Sequence, residues 1–337
     1  MNNTNSTNNT KKMVYTSILT ALLIVFSLMS ELPFFSMVSL AVAPIIVALI
    51  YVKGGKTNTV IAFVITAILL SMFTFPIYGL TLTILNFCIG MGLIFMIEKN
   101  VSPLVNLLVL AVSVAIGAVI MAYVNITILT NTNLVGFLGM LVDTMKASMT
   151  EAIKVYENMG IDVTELKKSN PFATMTVENL LVAMPTGLAW YAIISATFIY
   201  KVSEAVFKRI GIHVEPFPKF IEIKSNMALI IVTLALSMLG IIGMRMNIAG
   251  SEGIMQLGNN LFIVVGGVGG VSLISYLMKT KLKYPTFFRI VMMFFILTSS
   301  LFYVVVIAGV LDSAFDFRTL SENGLYQILK SRTKNTK

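Results

Sequence analysis

The feature that most limits what this chain can become is the recurrence of apolar runs as long as a bilayer is thick. A helix rises 1.5 Å per residue, so about 20 apolar residues cross a hydrocarbon core of about 30 Å. Runs of roughly that length recur nine times, at 13–30, 34–52, 57–75, 78–97, 104–129, 178–200, 226–245, 255–278 and 287–310. Hydrocarbon offers the backbone no hydrogen bonds, so each such run must satisfy its own N–H and C=O groups as a helix. The expected fold is all-α, a polytopic transmembrane helical bundle of about nine spans, or eight if the short second or third run is re-entrant. Composition agrees. The chain is 57% hydrophobic and 12% charged, with mean hydropathy +0.90, against roughly 45–50% apolar content in soluble domains.

The net charge of +9 would suggest nucleic acid in a soluble protein. In a membrane protein it speaks first to sidedness, because cytoplasmic loops collect Lys and Arg. With the N-terminus cytoplasmic and sides alternating, one side holds Lys11, Lys12, Lys53, Lys56, Lys99, Lys201, Lys208, Arg209, Lys219, Lys224, Lys279, Lys281, Lys283 and Arg289. The other holds Lys146, Lys154, Lys167, Lys168 and Arg245 before the C-terminal tail. That asymmetry fits a multi-pass protein of a bacterial cytoplasmic membrane, and no nucleic-acid partner is expected. Nine crossings also place Arg318, Lys330, Arg332, Lys334 and Lys337 outside, against the same rule.

Four regions follow. Residues 1–12, with the tract "MNNTNSTNNT", have nothing to bury and read as a disordered cytoplasmic tail. Residues 13–209 hold the first six spans, with an external segment at 130–177. Within it Leu134, Phe137, Leu138, Leu141, Val142, Met145, Met149 and Ile153 recur at helical spacing up to a stop at Gly160, which predicts an amphipathic helix on the membrane or over a cavity. Further transmembrane helices occupy 210–310, and 311–337 is a polar tail.

Several chemistries are excluded early. One cysteine and one histidine leave no disulfide and too few soft ligands for zinc or haem. "KGGKT", Lys53–Thr57, ends like a phosphate-binding loop, but Ile50 stands where the first glycine belongs and no strand precedes it. It reads as a tight turn between helices. Hydrolase signatures are missing as well, so no enzyme activity, cofactor or metal is expected. Asp312 and Asp316 in "LDSAFDFR" could share a helix face and hold Mg²⁺ for an enzyme acting on lipid. With Arg318 behind them, they more simply read as a solvated helix start with a local ion pair.

Polar groups inside hydrocarbon are costly and count as functional candidates. Glu31, Tyr123, Asn125, Glu178 and Arg245 all fall toward the external half of their spans, where Trp190 and Tyr191 would form a deeper aromatic wall. Together they predict an outward-facing pocket for a small molecule. Helix packing has its own signal, small residues four apart. Ser17 and Ala21 carry it in the first span, beside Thr16 and Thr20, and Gly266 and Gly270 in the eighth. "VVGGVGGV" lies mid-span rather than after a strand, so it predicts a groove for another helix, from the six-helix core or a partner protein, or else a local break.

The opening stretch, "KKMVYTSILTALLIVFSLMSELPFFSMVSLAVAPIIVALIYVKGGKTNTVIAF", resembles the S-components of energy-coupling-factor vitamin transporters. It shares a basic start, a first helix rich in small residues, a second with proline and a glycine turn. "NPFATMTVENLLVAMPTGLAWY" and "KYPTFFRIVMMFFILTSSLFYVVVIAGVLDSAFDFR" resemble the YybS family of uncharacterised bacterial membrane proteins, related to that superfamily. The first likeness covers roughly residues 11–209 and implies a six-helix binding core with a pocket open to the outside. It also implies a helix 1 stripe, here Ser17 and Ala21, offered to a coupling subunit. Function is then expected to be small-molecule binding and uptake or sensing without an ATPase of its own. The alternative is a non-transporting scaffold or regulator of another membrane protein.

Overall fold

The computed structural model describes residues 3–99, 101–170 and 172–318. Among them are twelve α-helices and no strand: α1 (Asn3–Met29), α2 (Ser36–Gly54), α3 (Lys56–Phe73), α4 (Pro76–Lys99), α5 (Pro103–Leu129), α6 (Leu134–Asn158), α7 (Thr164–Lys168), α8 (Val177–Ile210), α9 (Met227–Arg245), α10 (Ser251–Thr280), α11 (Thr286–Thr298) and α12 (Phe302–Phe315). Eight of them, α1 to α5 and α8 to α10, are long and apolar enough to cross a membrane. The all-helical polytopic bundle is therefore the fold.

The chain divides into two compact units, 1–180 with 188–217, and 181–187 with 218–337. The first holds the six expected core spans, ending at Phe217 rather than at residue 209 and ceding 181–187 of α8. At its centre is α4, two-thirds of whose apolar window is buried. Glycines let its neighbours close in. A Cβ on Gly90 would lie 2.5 Å from Val47 Cγ1 of α2, and one on Gly92 would lie 2.7 Å from Ser113 Oγ of α5. Association in lipid depends on such close packing and on buried hydrogen bonds rather than on the hydrophobic effect. Asn86 supplies one bond, donating to Ser27 Oγ at 3.0 Å. Both side chains are buried, so this mid-membrane asparagine joins α4 to α1.

Local stops follow the sequence. Gly55, the single residue between α2 and α3, has φ +82°, a region that favours glycine. The "KGGKT" turn is thus a helix–helix corner. Gly160 follows the end of α6 at φ +74°, and the Ile161 N–H bonds back to the Tyr156 carbonyl at 3.0 Å. Two expectations change. Residues 3–12 are part of α1, since adding turns to an existing helix costs far less than starting one. The second and third runs are complete helices, and the irregular one is the last. Residues 287–310 are not one straight helix: α11 and α12 meet at a bend of 109°, the form of a broken span or a re-entrant loop. The described residues thus give eight crossings, or nine if the bent pair is one.

The second unit is organised on α10. Its N-terminal half packs against α9, where Gly240 faces Met255 and Gly258 faces Ser237. Its glycine cluster stays helical, without a break, and serves several neighbours. Gly266 and Gly270 meet Val305, Val306 and Gly309 of α12, Gly267 meets Phe302, and Gly269 meets Ser225 ahead of α9. The Gly270 and Gly309 backbones lie so close that a Cβ on either would overlap the other helix. The groove is thus filled by the chain's own α12, rather than by a core helix or a second protein.

Candidate functional site

The link from α1 to α2 winds down through bonds from Ser30 N–H to Ser27 O and from Glu31 N–H to Leu28 O, both 3.2 Å. This leaves the exposed Glu31 carboxylate at one end of the bundle. At the same end α3 stops at Thr74, whose hydroxyl donates to Leu70 O at 2.8 Å, and α4 begins at Pro76. Gly79 then lies against the Leu70 and Ser71 backbone. No larger residue fits that approach, which sets Tyr78 of α4 above the α3–α4 corner. Glu31, Phe73, Thr74, Phe75, Tyr78 and Leu129 line a cavity of about 450 Å³.

A hydrogen-bonded chain runs inward from its wall. The Tyr78 hydroxyl reaches Glu31 and Ser30. The buried Thr81 donates through Oγ1 to Tyr78 O and accepts from Asn125 Nδ2, both at 3.0 Å. Asn125 Nδ2 also donates to Met121 O at 2.7 Å. Both amide hydrogens are then used, which fixes the orientation of the amide, and its Oδ1 is buried without a hydrogen-bond partner. An acceptor left unmet in this way costs about 1–3 kcal/mol.

Two of the seven expected pocket residues therefore meet in one neighbourhood, Glu31 at the cavity and Asn125 two hydrogen bonds behind its wall, through Thr81 and the Tyr78 carbonyl. Tyr78 and Thr81, which connect them, went unnoticed in the sequence, where a hydroxyl in an apolar helix is ordinary. The others do not line this cavity. Tyr123 is 68% exposed, because a residue two positions from Asn125 points to another face of α5. Trp190 and Tyr191 are exposed midway along α8, Glu178 sits in that helix's exposed first turn, and Arg245 is exposed in the last turn of α9, in the second unit. On α1, Ser17 and Ala21 face outward, whereas Thr16 and Thr20 are buried.

The acidic pair of "LDSAFDFR" is corrected. Asp312 lies in the last turn of α12, not at a helix start, and Asp316 follows its end at φ +54°. Both are buried. Arg318 donates to Asp312 Oδ2 from Nε at 2.9 Å and from Nη2 at 2.7 Å. It also reaches Ser272 Oγ at 2.8 Å and the Ile221 and Ile223 carbonyls, each at 2.9 Å. Lys224 meets Asp316 at 2.9 Å. The charges are neutralised within the protein, and the ends of the unit are clasped together. Of the basic tail, Lys330, Arg332, Lys334 and Lys337 lie outside the described residues.

No curated protein and no solved structure matches the chain. A family match spans both units and stops within α12, just short of the clasp arginine. Residues 18–313 carry the pattern described as "Predicted membrane protein (DUF2232)", and the chain belongs to that family.

Proposed function

We propose that the protein binds a small molecule from the external side of a bacterial cytoplasmic membrane and takes it up or senses it, as a binder or carrier rather than an enzyme. The observation that carries this reading is the Glu31–Tyr78–Thr81–Asn125 chain. It starts at Glu31 and Tyr78 in the wall of a cavity of about 450 Å³, a size typical of small-ligand sites, and ends behind that wall in a buried, unpartnered acceptor. The resemblance of residues 11–209 to S-components supports the same reading. Phe73 and Phe75 offer an apolar wall, while Glu31 and Asn125 Oδ1 only accept hydrogen bonds. The ligand therefore carries N–H or ammonium donors on an apolar or aromatic body. The basic N-terminal flank of α1 supports an external position for the Glu31 end.

No nucleotide motif stands in the sequence, so uptake would draw on an ion gradient or a coupling partner. The outward Ser17 and Ala21 of α1 are the face such a partner would use. The test is thermal stabilisation of purified protein against vitamins, nucleosides and biogenic amines, followed by Asn125→Leu and Tyr78→Phe. A hit that weakens about tenfold in Asn125→Leu supports the reading. A flat response across the panel, or a hit indifferent to both changes, overturns it in favour of a scaffold.

A further inference from the structure

A second cavity, of about 520 Å³, lies wholly in the second unit, between α10, α11 and the segment before α9. Its walls are apolar, with Phe220, Val271, Ile290, Met293 and Leu297 among them, and its polar groups are Ser275, Thr286 and Arg289. Arg289 is the unusual member. One of its donors reaches Thr286 Oγ1 at 2.9 Å, while Nε is buried and bonds to nothing. Among the described residues no carboxylate stands within ion-pair distance of it. Arg318 in the same unit makes five hydrogen bonds to described residues, so the fold can satisfy an arginine where it needs one.

Arg289 also occupies the first turn of α11, which has no acidic residue. A cation there is at the wrong end of the helix dipole unless an anion accompanies it. Exposed Lys279, Lys281 and Lys283 precede it and deepen the positive field. An apolar cavity ending in an unmet guanidinium, in a protein that lives in lipid, has the two-part chemistry of an anionic amphiphile. We propose that this cavity binds an anionic phospholipid, with acyl chain along α10 and α11 and the phosphate on Arg289 and Thr286. A guanidinium suits phosphate because its planar donors match two oxygens at once. The site is separate from the Glu31 cavity and does not depend on what binds there.

The experiment uses full-length protein, delipidated in a neutral detergent and melted with dioleoylphosphatidylglycerol, dioleoylphosphatidylcholine or inorganic phosphate. The phosphatidylglycerol should raise the melting temperature, and neither of the others should match it. Arg289→Gln should weaken that response about tenfold or more in half-saturating lipid, with its lipid-free melt unchanged. Ile290→Trp, which narrows the cavity and leaves the arginine in place, should weaken it too. Equal stabilisation by both lipids, a full effect from inorganic phosphate alone, or an unchanged response in Arg289→Gln would each overturn the assignment.

Discussion

Arg318→Met is the sharpest perturbation the second unit offers. The side chain keeps its length and apolar stem but loses every donor. Two charge-assisted bonds to Asp312 Oδ2 disappear, along with those to Ser272 Oγ, Ile221 O and Ile223 O. Asp312 is fully buried, so its carboxylate is left without a cation in a low-dielectric setting. Removing one partner of such a pair costs about 3–5 kcal/mol, and the two stranded carbonyls place this site toward the upper end. Removing both charges, as in Asp312→Leu with Arg318→Met, abolishes the uncompensated ion and should recover about 2–3 kcal/mol.

The two single variants, the double variant and the wild type make a cycle, read by equilibrium unfolding in mixed micelles. Arg318→Lys belongs beside them, because one ammonium cannot span the carboxylate and two carbonyls as the planar fork does. It should fall between wild type and Arg318→Met. If Arg318→Met stayed within about 1 kcal/mol of wild type, the clasp would be energetically idle. A double variant no more stable than the single would show that lost packing, not a stranded charge, sets the cost.

Other outcomes follow from the same geometry. Gly270→Ala puts a methyl into the Val305 backbone, whereas Gly253→Ala meets nothing nearer than 3.4 Å. The first should cost about 1–3 kcal/mol or more by overpacking and the second little, and equal melting temperatures would contradict the α10–α12 contact. Arg318 touches Ile221 and Ile223, which belong to the link between α8 and α9. We expect the α11–α12 pair to return to the side it left, for eight crossings in all. Paired reporter fusions at residues 1 and 337 should give the same sign, and opposite signs would restore a ninth span. Lys224→Met removes the ion pair that Lys224 makes with the buried Asp316 at 2.9 Å and should destabilise the second unit by up to about 3 kcal/mol, less than Arg318→Met in the same unfolding assay.

Hydropathy alone exposed the all-helical bundle and the limits of most spans, because lipid leaves the backbone one way to satisfy itself. It could not expose features decided by where a chain turns inside that constraint. The run 287–310 is apolar enough to cross, and only the hydroxyl cluster Thr298-Ser299-Ser300 hints at a corner. The clasp was hidden for a related reason: two of the acceptors that hold Arg318 are backbone carbonyls, which every residue has. Asp312 and Asp316 consequently read as a solvated helix start with a local ion pair. The same logic divides the site. Glu31 and Asn125 stand out because charge and amide are rare in hydrocarbon, but Thr81 and Tyr78, which join them, are residues any membrane helix tolerates. Rarity identified groups that are costly to bury. It did not distinguish those facing a cavity from Trp190, Tyr191 and Tyr123, whose exposed rings lie where lipid can cover them. That distinction depends on the angular position of each residue on its helix and on close approaches such as Gly79 against Leu70, and so on the packed bundle rather than on any one span.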